Sequence, residues 1–213
     1  MLKHIFQGKS VAIVGPSPSL IGKELGEKID SYDVVIRPNL HFDIPEHRKV
    51  DYGSRFEIFS SCFNEWANNE TRDLLTLSTK KFIFNCQTVY EPFEKIQELL
   101  GEHVDRLTWI PSNHFSKIYE MVGTTTNSGF NAIILALQHG ATSIFVCGMD
   151  FYNSNDFTDF DKIYFPEYKD VEFAYHPNMH QVPTSGHGVM IQKKYFLNLL
   201  QNNTNIEWNE ITQ

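Results

Sequence analysis

Residues 11–20 read Val11-Ala12-Ile13-Val14-Gly15-Pro16-Ser17-Pro18-Ser19-Leu20, four consecutive apolar residues that stop at a run of small residues and prolines. A short apolar run bounded by Gly and Pro predicts a strand buried on both faces, and such strands belong to parallel sheets covered by helices. Open sheets of that kind bind ligands outside the carboxyl ends of their strands, which is where the Gly15–Leu20 loop falls. Ser17 and Ser19 offer hydroxyls there, and with backbone amides they suit a phosphate or a sugar. The same residues also suit an ordinary strand-to-helix turn.

Working outward, further strand-like runs recur at Asp33–Ile36, Phe56–Ser60, Lys81–Asn85, Leu107–Ile110 and Ser143–Cys147, with helical patterns at Phe93–Leu100 and Ser128–His139. This alternation predicts an α/β fold: a single Rossmann-like, doubly wound, mostly parallel sheet with helices on both faces. The 213 residues suit one domain spanning 1–213. The stretch from Tyr152 to Pro183 is different, rich in Asp, Asn, Tyr, Phe, Pro and His with weak periodicity. So long an irregular segment in the C-terminal third reads as a lid, with the active-site segment running to about residue 187.

Composition narrows the partners. A formal charge of -8 excludes a generally basic surface and argues against nucleic acid. No run approaches the roughly 18 apolar residues of a membrane span, which leaves peripheral association as the form any membrane contact would take. Cys62, Cys86 and Cys147 sit in strand-like contexts without metal-ligand spacing, as expected of core thiols in a reducing compartment. With no secretory signal at the start, a cytoplasmic location is expected.

Two further stretches carry chemistry. In Gly123–Tyr152, Phe130, Ile133, Ile134 and Leu137 fall at helical spacing, leaving Thr126, Asn127, Ser128 and Gly129 at a helix N-terminus. Free amides and the positive end of the helix dipole there favour an anionic group, and Thr126 or Asn127 is placed to cap the helix. The second stretch holds His176, His180 and His187, the last just before a helix beginning near Val189. The histidine spacings match no compact metal signature. Asp159-Phe160-Asp161 lies in an acidic segment that reads as solvated. No metal is expected.

These residues resemble a known family. Val11–Phe59 resembles the large sialylmotif of sialyltransferases, with Ile29, Asp30, Ser31, Asp33, Val35, Arg37, Asn39, Asp51, Gly53 and Ser54 matching in order. Gly123–Tyr152 resembles the small sialylmotif, and also the corresponding segment of bacterial CMP-sialic acid transferases. The resemblance implies an inverting transfer of sialic acid from a CMP-sugar donor to a glycan acceptor, with the CMP sugar as co-substrate and no other cofactor. Asn39 would hold the CMP, Ser128 and Gly129 would contact the donor, Gly148 would close the motif, and Tyr152 would bond the phosphate or join an aromatic cluster. His187 would be the base of a His-x-x-x-x-Glu motif whose last position is Gln192 here, and His176 or His180 would support the leaving phosphate. The loop departs from the family in carrying Pro16 and Ser19 where asparagines are usual. Arg37 is expected to form a structural ion pair with Asp33 or Asp51.

The same motifs suit a Kdo transferase that uses CMP-Kdo, and a non-catalytic nucleotide- or glycan-binding module would share the sheet. The full Gly-x-Gly-x-x-Gly fingerprint of a dinucleotide oxidoreductase is missing. Animal members of the family are Golgi proteins with a membrane anchor and a disulfide between the two large motifs. Ser10 and His139-Gly140 stand near those places here, so a bacterial or viral cytoplasmic form is expected.

Overall fold

Buried parallel strands need apolar side chains on both faces, and that requirement sets the architecture of this chain. The computed structural model describes residues 2–38, 44–61, 81–84, 97–98, 101–149, 151 and 188–209. Strands β1 (Ser10–Val14), β2 (Val34–Pro38), β3 (Ile58–Ser61), β4 (Lys81–Phe84), β5 (Leu107–Trp109), β6 (Ser143–Cys147) and β7 (Ile206–Trp208) form one sheet. Their order is β5-β4-β3-β2-β1-β6-β7, and every neighbouring pair is parallel. From β1 the chain builds outward to β5 on one side and later to β6 and β7 on the other. The topological switch point therefore lies between β1 and β6.

The period of two along each strand divides the core. Val11 and Ile13 of β1 join Val34 and Ile36 of β2 in a large cluster with helices α4 (Ser112–Val122), α5 (Ser128–Gln138) and α6 (Val189–Asn202). Ala12, Val14 and Val35 point the other way, into a smaller cluster with Ile29 of α2 (Gly26–Asp30) and Tyr52 of α3 (Lys49–Tyr52). A short helix, α1 (Lys3–Phe6), adds Phe6 to the first cluster. Helices thus cover both faces, as expected of a doubly wound sheet.

Helix α5 is more deeply set than its apolar spacing predicts, since every residue from Ser128 to Ala136 is buried while Leu137 is only half-buried. One side meets β1, β2, β3 and β6, and Phe130 also packs edge-on against Tyr195 and Phe196 of α6. Burial of roughly 1.5–3 kcal/mol per large apolar side chain outweighs the modest helix propensity of its isoleucines. The helix pattern at Phe93–Leu100 lies outside the described residues except for 97–98, which are helical. Cys62 and Cys86 lie outside them too, while Cys147 is a free, fully buried thiol that burial pushes up to about 12. Among the described residues no helix is long and apolar enough to cross a membrane.

Arg37 corrects the sequence reading, because it does not pair with Asp33 or Asp51. Its fully buried guanidinium donates from Nη2 to the Tyr52 carbonyl at 2.7 Å and from Nε to the Arg55 carbonyl at 3.1 Å. Asp33 precedes the start of β2 and accepts from the amide and hydroxyl of Ser10, while Asp51 accepts from the Glu24 amide at 3.0 Å. Each carboxylate is thus occupied where the chain puts it, and Arg37 extends from the far end of the strand. Burial pushes the guanidinium down to about 10 against the pull of Asp30 and Glu57, so it stays cationic at neutral pH. Carbonyl dipoles hold this cation, and its removal would leave two buried acceptors unmet. Arg37→Met is expected to lower stability by about 2–4 kcal/mol in urea unfolding.

At the opposite end of α5, His139 stacks on His114 of α4 with ring centroids 6.2 Å apart, and on Phe6 at 6.5 Å. Nε2 of His114 and both ring nitrogens of His139 are buried without a hydrogen-bond partner. Burial holds both imidazoles below their ordinary value of 6.5, helped by Lys117 beside His114, and by His114 and Lys3 beside His139. A folded-state pKa below the unfolded one means that the unfolded chain takes up protons first, so stability falls as pH drops through the unfolded value. Between about pH 7.5 and 5.5 the melting temperature is expected to fall more steeply for the wild type than for a His114→Phe/His139→Phe variant. Equal slopes would contradict this account.

Candidate functional site

The carboxyl ends of β1 and β6 touch through their backbones. The Gly15 amide donates to the Cys147 carbonyl at 2.8 Å and the Ser17 amide to the Gly148 carbonyl at 3.0 Å. A Cβ on Gly15 would lie 2.2 Å from the Gly148 oxygen, and one on Gly148 would lie 2.3 Å from the Gly15 oxygen. Gly148 also has φ +63°, in the left-handed region that glycine tolerates best. Met149 then lays its side chain across the gap, its Cγ 2.7 Å from the Cβ position of Gly15 and its thioether 3.0 Å from that of Gly129. The first loop, Gly148 and the start of α5 therefore meet at one place, at the switch point where such sheets bind ligands.

The start of α5 is a capped N-terminus. Asn127 is extended, and its Oδ1 accepts from the Phe130 amide at 2.8 Å, so Asn127 is the cap. Thr126 donates from Oγ1 to Oδ1 of the fully buried Asn131. Ser60 of β3 donates to the Ser128 carbonyl at 3.2 Å, fixing the first turn to the sheet. The cap satisfies the Phe130 amide and leaves that of Gly129 without an intrahelical acceptor, at the positive end of the dipole. Such a terminus suits one phosphate or carboxylate.

The first loop is committed to its own fold. Ser17 is 3 % exposed; its Oγ accepts from the Ser19 amide at 3.2 Å, and its carbonyl accepts from the Tyr52 hydroxyl at 2.8 Å. Arg37 holds the carbonyl of that same Tyr52. Most residues of the first motif serve similarly. Asp30 accepts from the Ser54 amide at 2.9 Å, the Ser54 hydroxyl at 2.8 Å and the Arg55 amide at 3.0 Å. Burial would raise the Asp30 carboxyl, but these bonds hold it below its usual range. Gly53, at φ +70°, is required there because a Cβ would lie 2.4 Å from Asp30 Oδ1. Of the expected donor-binding residues, Ser17, Ser19, Asn127, Ser128, Gly129 and Gly148 are brought to this region. Asn39 and Tyr152, the histidines His176, His180 and His187, and Asp159-Phe160-Asp161 lie outside the described residues.

Three participants escaped the sequence reading. Met149 and Ser60 carry no motif signal, and Gln192 counted only as a missing glutamate. Gln192 is fully buried in the first turn of α6, where its Oε1 accepts from the Asn127 amide at 3.2 Å and its Nε2 donates to the Thr125 carbonyl at 3.4 Å. Beside it Gly188 packs on Thr124, whose Oγ1 would lie 2.1 Å from an added Cβ. The start of α6 is thereby docked on the segment that leads into α5. A cleft of about 720 Å³ lies elsewhere, between α2 and α3, lined by Glu24, Gly26, Glu27, Asp30, Ser31, Lys49, Val50 and Ser54. It includes none of the expected donor-binding residues.

The glycine contact makes a direct test. Gly148→Ala places a side chain on left-handed backbone and against the Gly15 carbonyl, so a loss of about 2 kcal/mol or more is expected in denaturant unfolding. Gly8→Ala, whose Cβ would meet nothing within 4 Å, is expected to cost about 1 kcal/mol from its positive φ alone.

No family model and no curated protein matches this chain. Solved structures do. A mammalian sialyltransferase in complex with Gal-beta-1-3GalNAc-ortho-nitrophenol superposes with a TM-score of 0.60 and 16% identity, covering 97% of this chain and 71% of the other. A second structure of a mammalian sialyltransferase gives 0.60 and 13%, covering 94% and 68%. A Campylobacter jejuni sialyltransferase with a substrate analogue, cytidine-5'-monophosphate, gives 0.44 and 19%, covering 73% and 76%. Nearly the whole chain is matched at very low identity, so the likeness lies in the path of the backbone: this chain has the sialyltransferase fold.

Proposed function

We propose that this chain is an inverting glycosyltransferase that moves sialic acid, or a related ulosonic acid such as Kdo, from a CMP donor to a hydroxyl of an acceptor glycan. The observation that carries the reading is the capped N-terminus of α5, set at the β1/β6 switch point of a sialyltransferase fold. A CMP donor presents one bridging phosphate, a charge that a helix N-terminus can meet without a metal ion. Ser128, Gly129 and Gly148 would receive the donor, with Ser19, Asn39 and Tyr152 contributing.

The anomeric carbon of such a donor is tertiary and its phosphate leaves readily, so the transition state has oxocarbenium character. Catalysis then consists of positioning, proton removal and stabilisation of the departing charge. His187 is proposed as the base that takes the proton from the acceptor hydroxyl as it attacks, since an ordinary imidazole titrates near neutrality. His176 or His180, with Tyr152, would meet the phosphate. Attack from the face opposite the phosphate inverts the anomeric centre and needs no covalent enzyme intermediate.

Incubation with CMP-sialic acid and galactose-terminated acceptors is expected to release CMP and yield sialylated product, unaffected by a chelator. His187→Ala is expected to slow transfer by about 100-fold or more while CMP still binds. Failure of the wild type to bind CMP in calorimetry would refute the reading, and transfer that survives loss of His187 would refute the base assignment.

A further inference from the structure

We infer that Gln192 is a positioning residue of the donor site, and that this chain requires an amide where the family resemblance places a glutamate. The inference rests on the proposed function for its ligand and on the geometry for its chemistry. Gln192 is 0 % exposed and bridges two groups of opposite character, the N–H of Asn127 and the carbonyl of Thr125. A backbone N–H must meet an oxygen and a backbone carbonyl must meet a donor, so the two partners fix which end of the amide is which. The amide spans the peptides on either side of Thr126, and Asn127 is the cap that sets the first turn of α5. Through Asn127 it determines where the amides of that turn point.

A carboxylate is the same size as this amide but only accepts. In place of Gln192 it would satisfy the Asn127 amide and set a second oxygen, with a negative charge, against the Thr125 carbonyl. It would also bring a buried charge to the helix terminus proposed to receive a phosphate, where it would compete with the ligand for the same positive dipole. A protonated carboxyl, by contrast, carries one acceptor and one donor and reproduces the amide.

Among the described residues, the elements packed on this point bring no charge to it. Segment 124–127 carries no titratable side chain, and α4 turns Phe115, Ile118 and Val122 inward while Tyr119 and Glu120 are exposed. On α6 itself Lys193 is half-buried and Lys194 exposed, flanking the amide in sequence.

The test compares wild type, Gln192→Glu and Gln192→Met, with CMP as the probe in calorimetry at about pH 8 and about pH 5.5. Near pH 8 both variants are expected to bind CMP at least about tenfold more weakly than wild type. On acidification Gln192→Glu is expected to recover toward wild type as its buried carboxyl takes up a proton, whereas Gln192→Met stays weak. Amide exchange at Asn127 should follow the same order, slow in wild type and fast in Gln192→Met. If Gln192→Glu is unfolded near pH 8, refolding with CMP binding on acidification is the same supporting result, and failure at both values overturns the inference. CMP affinity equal to wild type for Gln192→Glu near pH 8 also overturns it. A wild type that does not bind CMP refutes the proposed function itself, and with it the ligand assigned to this terminus.

Discussion

Where β1 and β6 leave the sheet, their backbones are in contact, and the rest of the site is arranged around that contact. Gly15 and Gly148 approach so closely that neither tolerates a Cβ, and two backbone hydrogen bonds continue the pairing beyond the strands. The contact brings the turn after β6 against the loop after β1, and Met149 carries it on to Gly129. An aromatic group fixes the other side of the turn, with Phe151 set against Phe130, Phe196 and Trp208. Trp208 also donates to the Met149 carbonyl at 3.3 Å. Strand β7 therefore contributes to the site from the edge of the sheet.

A second constraint lies beneath the first loop. Arg37 is a fully buried cation held mainly by carbonyls, an arrangement that isolates poorly and is stabilised only while both carbonyls remain in place. Those carbonyls belong to the Tyr52–Arg55 turn, whose amides are bound by Asp30 and whose tyrosine hydroxyl holds Ser17. The motif that resembles a donor-binding signature is, over much of its length, a chain of hydrogen bonds linking β2, α3 and the loop after β1. Asp30, Arg37, Gly53 and Ser54 keep their spacing because they meet one another or the same turn, which is a structural reason for an ordered match in a protein of low overall identity.

The sheet was legible because parallel strands must be apolar on both faces. Six of the seven strands announce themselves as short apolar runs. Strand β7 does not, being three residues long with Glu207 in its middle paired to Lys28 across the surface. Helix α4 was also missed, although Phe115, Ile118 and Val122 stand at helical spacing, because polar residues dominate the segment between them. The site was legible where a residue acts locally, as Asn127 does in capping its own helix. It was not legible where partners lie far apart in sequence. Arg37 was expected to seek a carboxylate, yet carbonyl dipoles 15 and 18 residues away take its place. Ser17 offered a hydroxyl to a ligand, yet it is buried and its Oγ accepts from the Ser19 amide.

The chain is acidic overall, with a formal charge of -8, and this bears on how such a protein could hold a nucleotide phosphate. Long-range attraction works against it, but at physiological salt a field of that kind is screened over roughly 8 Å. Within that range the residues that line the start of α5 decide the outcome. Ser60, Thr126, Asn127, Ser128, Gly129 and Gln192 are all neutral, and the side chains of Ser60, Asn127 and Gln192 bond to backbone while Thr126 bonds to Asn131. None of these described residues is a lysine or arginine, so what they can offer a phosphate is oriented dipoles. Dipoles act only over short distances and only when aimed, so such a site depends on the fixity of its supports. A buried amide clamp and a glycine contact supply that fixity, and neither is visible as a charge pattern in the sequence.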